Sequence, residues 1–256
     1  MFRQQLVRLS VVGLLAVFLT ACVTEVINPR ASNVNTEKAL QARLKAAYLY
    51  LDANKNAAAR GHLERAEEIA PKSPLVLNAW AHLFDLEGEP ERAEEYFKKA
   101  LRSDNNHAPS YNNYGAFLYK KERYEEALDK LQIAADNPRY AGRANAYENM
   151  GLCALRMQNV LIAEGAFKKA IKIDRALSRA TLELAYIHFG KKQYEQAAKL
   201  YASRKDLAQP NARSLMLGIQ LARIADDKNA EASYGLMLKN VFPYSQEYQA
   251  YKALNK

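Results

Sequence analysis

The 256-residue sequence predicts an all-α fold, a solenoid of about six helix–turn–helix repeats closed by a C-terminal capping helix. Three observations predict it. A pattern of small and large residues recurs about every 34 places between residues 40 and 243. Glycine and proline number only ten and eight, and runs of β-branched residues are few, which argues against sheet. The apolar share of 49 % can fill a continuous core, while a single pair of amphipathic helices leaves faces that only a neighbouring pair can bury.

The clearest unit runs from Tyr111 to Ala134. Its small residues, Gly115, Ala127 and Ala134, let two antiparallel helices approach, and Tyr114, Leu118 and Leu131 fill the seam between them. One period earlier stand Trp80-Ala81, Phe84, Ala93, Phe97 and Ala100; two periods earlier, Ala46-Ala47, Tyr50, Ala59, Leu63 and Ala66. Later come Tyr147, Gly151, Ala163, Phe167 and Ala170, then Leu184-Ala185, Ala197 and Tyr201, then Leu217-Gly218, Leu221, Ala230 and Tyr234. The units span about 40–73, 74–107, 108–143, 144–177, 178–210 and 211–243. Prolines 71, 74, 109, 138, 210 and 243 punctuate their boundaries, and Gly88, Lys121-Glu122-Arg123 and Gly190-Lys191-Lys192 mark turns within them.

With a small residue at the eighth and twentieth places, these units resemble the tetratricopeptide repeat family. The resemblance implies a right-handed superhelix whose first helices line a concave face. Three departures stand out. Ala47 replaces the usual glycine of the first unit and Arg43 a bulky aromatic. Arg204 occupies a place normally small, so the second helix of the fifth unit is expected to pack less closely. Met237 holds that place in the sixth.

The amino end is different in kind. Arg3 and Arg8 precede an apolar run, Val11–Leu19, of signal-peptide length, so residues 1–21 are read as a signal peptide. It ends in Leu19-Thr20-Ala21-Cys22, which resembles the bacterial lipobox. That resemblance implies cleavage before Cys22, a diacylglyceryl group on its sulfur and an acylated amine. Two or three acyl chains, at ~0.8 kcal/mol per buried methylene, anchor a protein stably. Val23 follows the cysteine, not the Asp that retains lipoproteins of enteric-like bacteria in the inner membrane, so the outer membrane is the expected destination, with the solenoid facing the periplasm. Residues 22–35 are read as a lipidated tether, polar and broken by Pro29, reaching up to ~45 Å if extended. Thr36 with Glu37 reads as the first helix start and opens the repeat region, 36–243. At the other end, residues 244–256 carry Tyr248, Tyr251 and Leu254 at helical spacing and are read as the cap.

No chemistry of catalysis stands out. His62, His82, His107 and His188 are never in metal-ligand spacing, and there is no Gly-x-Gly, phosphate loop or Gly-x-Ser-x-Gly elbow. His82 lies one turn before Asp85, but on a solenoid groove that pair reads as a polar contact. Cys153, between Leu152 and Ala154 on a first helix, reads as core. No metal, cofactor or small-molecule substrate is expected beyond the covalent lipid on Cys22. The formal charge of +9 includes Arg3 and Arg8, and the other basic residues are scattered through helix faces, so nucleic acid is not expected as a partner.

Tetratricopeptide geometry implies that places 2, 5, 9, 12 and 13 of each first helix line the groove. The expected partner-binding residues are Leu44, Tyr48 and Leu51; Asn78, His82 and Asp85; Asn112 and Tyr119; Asn145; and Tyr186, in a groove apolar at its ends and polar in the middle. Leu182, Leu215 and Ile219 belong to the apolar end. Asn78, Asn112 and Asn145 have amides able to bond both the N–H and the C=O of an extended peptide. Leu44 and Tyr48 stand where a chaperone-binding relative would carry its carboxylate clamp.

A lipobox followed by six such repeats resembles, along the whole chain, the type IV pilus biogenesis and stability lipoproteins, the pilotins. The resemblance implies an outer-membrane adaptor that binds secretin subunits and promotes their localisation and assembly. A scaffold for outer-membrane barrel assembly or other envelope complexes has the same anchor and repeats and stands as the alternative. A periplasmic enzyme would need a catalytic constellation that the sequence does not offer.

Overall fold

The computed structural model describes residues 29–204 and 210–254, and side chains from residue 35 onward. Cys22, the signal segment and the first part of the tether lie outside the described residues. Among those described there are thirteen helices and no strand. They are α1 (Pro29–Asp52), α2 (Asn56–Ile69), α3 (Pro74–Leu86), α4 (Pro90–Ser103), α5 (Ala108–Lys120), α6 (Tyr124–Asp136), α7 (Arg143–Arg156), α8 (Val160–Ile173), α9 (Ser178–Gly190), α10 (Tyr194–Ser203), α11 (Ala212–Ile224), α12 (Lys228–Val241) and α13 (Gln246–Ala253). Odd-numbered helices from α1 to α11 are first helices and even-numbered ones their partners. Each partner also packs on the next first helix, and successive first helices touch from α1 to α9, so they form one inner face. Contact passes only between adjacent units, as in a solenoid.

Close approach within a unit depends on the small residues. A Cβ on Gly115 would lie 2.6 Å from Leu131 Cγ and 3.2 Å from the Ala127 carbonyl oxygen. Ala59, Ala93, Ala127, Ala163 and Ala197, the twentieth places of the first five units, are all fully buried. Around them runs a core from Leu40 to Ile187, with Phe84, Leu118, Leu131 and Phe167 at most 1 % exposed.

The fifth unit, where Arg204 replaces a small residue, has a short second helix. α10 ends at Ser203 after ten residues, against thirteen or fourteen in the other second helices. Arg204 is buried, with its guanidinium 4.4 Å from the Tyr201 ring centre and its Nε donating to the Tyr201 carbonyl at 3.2 Å. Two smaller clusters follow the main core: one joins Leu182 and Tyr201 of the fifth unit to Leu217 of the sixth, across the position of Arg204, and the other gathers Leu215, Ile219 and Leu238. Tyr248 and Tyr251 of α13 pack on that last cluster, and the Tyr251 ring fills the space beside Gly235.

Every turn inside a unit has the same geometry. Asn54, Gly88, Glu122, Gln158, Lys192 and Asp226 each adopt a left-handed backbone, φ between 55° and 77°. The N–H of the next residue reaches back five places, as in Arg123 to the Leu118 carbonyl at 3.0 Å and Gln193 to His188 at 2.9 Å. The left-handed residue itself bonds three places back, as in Glu122 to Tyr119 at 3.0 Å. These are Schellman closures, which satisfy the carbonyls orphaned at a helix C-terminus. Gly190 is not the turn residue of its unit: it ends α9, and Lys192 takes the left-handed position.

The first helix also begins earlier than its sequence signals. α1 is already helical at Pro29, the first described residue, so residues 29–35 are helix where a tether was expected. Only residues 22–28 of the expected tether remain, and they lie outside the described residues.

Candidate partner-binding groove

The inner face carries a cavity of about 270 Å³ between the first and third units, lined by Tyr48, Asn78, His82, Asp85, Phe97, Asn113, Ala116, Phe117 and Lys120. Helical spacing brings Asn78, His82 and Asp85 to one side of α3, and the 34-residue period lays Tyr48 and Lys120 alongside from α1 and α5. Four of the expected groove residues meet here: Tyr48, Asn78, His82 and Asp85.

The polar groups are tightly arranged. Asn78 is 2 % exposed; its Nδ2 donates to Ser110 Oγ at 2.5 Å, while its Oδ1 is buried with no hydrogen-bond partner among the described residues. Asp85 accepts from Lys120 Nζ at 2.7 Å and lies 3.2 Å from Lys121 Nζ. Burial pushes the Asp85 carboxyl up, but these two lysines outweigh it and hold the group below its usual range. Burial lowers the His82 pKa, helped by Lys120 and opposed by Asp85 and Asp52, so His82 is a neutral ring beside Tyr48, with centroids 6.3 Å apart. Burial pushes the Tyr48 phenol up to about 12.

A second cavity of about 240 Å³ adjoins the first through Ala116 and Lys120 and is completed by Tyr119, Asn149, Leu152 and Arg179. Asn112 lies beside it, accepting from Asn149 Nδ2 at 3.3 Å, so that this amide is engaged within the protein. Asn145 is exposed and lines neither cavity. Tyr186 stands further along, its hydroxyl donating to the Arg213 carbonyl at 2.5 Å and its ring covered by the Arg213 guanidinium at 3.8 Å. Arg213 in turn holds Glu183 with two hydrogen bonds of 2.6 and 3.1 Å.

The expected apolar ends of the groove are core instead. Leu44 and Leu51 are 4 and 1 % exposed, and Leu182, Leu215 and Ile219 are buried as well. An aliphatic side chain at these places gains more by turning into the seam between units than by lining a wet channel. Sequence reasoning missed Asn113 and Asn149, which share the sixth place of successive units, together with Phe97 and Phe117 on the cavity wall. Arg179 holds a second place, within the expected register, and could have been found from it. Cys153 is fully buried and its thiol is pushed up to about 12 by burial. Among the described residues no group of three or more His, Cys, Asp or Glu side chains could hold a metal ion.

Models of the tetratricopeptide repeat match residues 76–107 and 96–129. A Pseudomonas aeruginosa protein, type IV pilus assembly protein PilF, is 38 % identical over 96 % of this chain and 98 % of its own. The chain belongs to the PilF/PilW family. The solved structure of P. aeruginosa PilF superposes with a TM-score of 0.80 at 37 % identity, covering 86 % of this chain and 99 % of that one. PilW, described as a widely conserved type IV pilus biogenesis factor, superposes with a TM-score of 0.68 at 25 % identity, covering 82 % and 97 %. This member of the PilF/PilW family is thus an all-α tetratricopeptide-repeat superhelix of type IV pilus biogenesis, a fold whose repeats serve protein–protein interaction.

Proposed function

We propose that the protein is a lipid-anchored adaptor of the outer membrane, a pilotin, whose groove binds secretin subunits and promotes their localisation and ring assembly. One observation carries the binding step: Asn78, whose Oδ1 is a buried acceptor with no partner among the described residues, lines a cavity walled by Phe97, Phe117 and Tyr48. An unmet buried acceptor costs about 1–3 kcal/mol, which a donor N–H from an extended segment would recover while an apolar side chain fills the cavity. Acyl chains on Cys22 supply the address and the groove supplies the grip; no chemical step is assigned to the protein.

The test is a Cys22→Ala chain expressed from its own locus. The variant should fold with an unchanged circular dichroism spectrum, leave the membrane fraction and strand secretin subunits away from the outer membrane. Normal secretin rings in cells carrying that variant would overturn the proposal. Pull-down from detergent-solubilised envelope separates the alternative: barrel-assembly subunits recovered in place of a secretin would favour the scaffold reading.

A further inference from the structure

The second groove cavity has its own chemistry, and it is cationic. Lys120 and Arg179 line it from α5 and α9, together with Tyr119, whose hydroxyl is a potential donor. The carboxylates around it are already engaged. Asp85 is shared by Lys120 and Lys121, so two ammonium groups meet one negative charge. Glu148 accepts from the Ala180 backbone N–H at 2.9 Å, and burial raises its pKa against the pull of that bond and of Arg179. Glu122 faces Arg156 at 3.8 Å. Arg179 itself is exposed and makes no ion pair or hydrogen bond among the described residues. Ala116 and Leu152 give the cavity an apolar floor between its two cations.

We propose that this cavity seats an aspartate or glutamate side chain of the bound polypeptide, its methylenes on Ala116 and Leu152 and its carboxylate between Lys120, Arg179 and the Tyr119 hydroxyl. Arginine offers a carboxylate two parallel donors, and the surplus positive charge matches a single acid. The adjoining cavity, which shares Ala116 and Lys120, takes the apolar residue a few places away in the same extended segment. The guest is therefore read at two points, one greasy and one acidic. This deepens the adaptor reading and rests on the groove holding a polypeptide.

Selection from a displayed library of random decapeptides, on the full-length protein extracted in detergent, tests it without assuming the partner. Wild-type protein should enrich peptides with Asp or Glu at one fixed position, and Arg179→Glu should lose that preference. A selected peptide should bind Arg179→Glu about tenfold more weakly than wild type, with Arg179→Lys, which keeps the charge but not the paired donors, in between. Because Arg179 is exposed, an unchanged melting curve shows that the variants are folded. No enriched peptide, no acidic preference, or the same preference on Arg179→Glu would overturn the inference. Secretin subunits titrated in parallel keep the two readings apart. If they fail to bind wild type while the acidic preference persists, the secretin assignment falls and the cavity assignment stands. If they bind wild type and Arg179→Glu equally, the cavity assignment falls and the adaptor stands.

Discussion

Asn78 of α3 and Ser110 of α5 meet in a 2.5 Å hydrogen bond across the boundary of two units, both side chains buried. Ser110 Oγ lies 2.6 Å from His107 Nδ1, so the bond continues into the loop that joins them. The contact holds the Asn78 amide through its Nδ2 and leaves its Oδ1 without a partner among the described residues. Ser110→Ala removes the acceptor of the Asn78 amide while leaving that amide buried. The variant should lose about 1–3 kcal/mol of stability in urea titration and bind the guest more weakly, because Asn78 is then free to turn.

The same network makes stability depend on pH. Burial lowers the His107 pKa, with Asp104 opposing, and a neutral Nδ1 can accept the Ser110 hydroxyl proton. A depressed histidine binds its proton more readily unfolded than folded. Its contribution is therefore complete above the unfolded value of about 6.5 and is lost as pH falls from there through the lower folded value. His82, lowered by burial and by Lys120, acts in the same direction. Glu94 and Glu164, both held at about 2 chiefly by bonds to Arg123 and to Lys168 respectively, add a separate loss as pH falls below the ordinary carboxylate value. Thermal melts across pH should show two descending steps. His107→Gln should shrink the upper one to the share of His82 and leave the lower one in place.

Two glycines predict opposite signs for one substitution. Gly115 faces Leu131 at a distance no Cβ tolerates, so Gly115→Ala forces α5 and α6 apart and should cost about 1–3 kcal/mol. Gly165 lies inside α8 with nothing within 4 Å of a built Cβ. Gly165→Ala should therefore gain about 1 kcal/mol from helix propensity alone. Paired melts of the two variants check both; equal shifts of the same sign would contradict the packing described.

The repeat was legible because packing wrote it into the sequence. Gly115, Ala127 and Ala134 are small for a steric reason that recurs through most units, and the exception at Arg204 falls where a second helix shortens. The groove was legible in register but not in direction. Periodicity puts Leu44 and Leu51 on the same stripe as Tyr48, and only the competition between seam and solvent decides which turn inward; the aliphatic ones did. Asn112 was indistinguishable from Asn78 by place, yet one amide is engaged by Asn149 and the other is left with a spare acceptor. Residues 29–35 were misread as a tether because Pro29 was taken to exclude helix, and nothing local to Asn28-Pro29-Arg30 decides that.

The turns hold the last prediction. Of the six left-handed residues only Gly88 lacks a Cβ, and Glu122, Gln158 and Lys192 have neither the glycine's freedom nor the local hydrogen bonding that eases Asn and Asp into this region. A left-handed residue with a Cβ costs about 1–2 kcal/mol relative to glycine, partly offset by the unfolded-state entropy that glycine adds. Gly88→Ala should thus destabilise by about 1 kcal/mol, while Lys192→Gly and Glu122→Gly should each stabilise by a few tenths to about 1 kcal/mol. Glu122 and Lys192 lie two units apart and share no contact partner, so the gains should add in the double variant. Urea titration of the four proteins measures this directly. A Lys192→Gly variant less stable than wild type would mean that the side chain, not the backbone, holds the turn of the fifth unit.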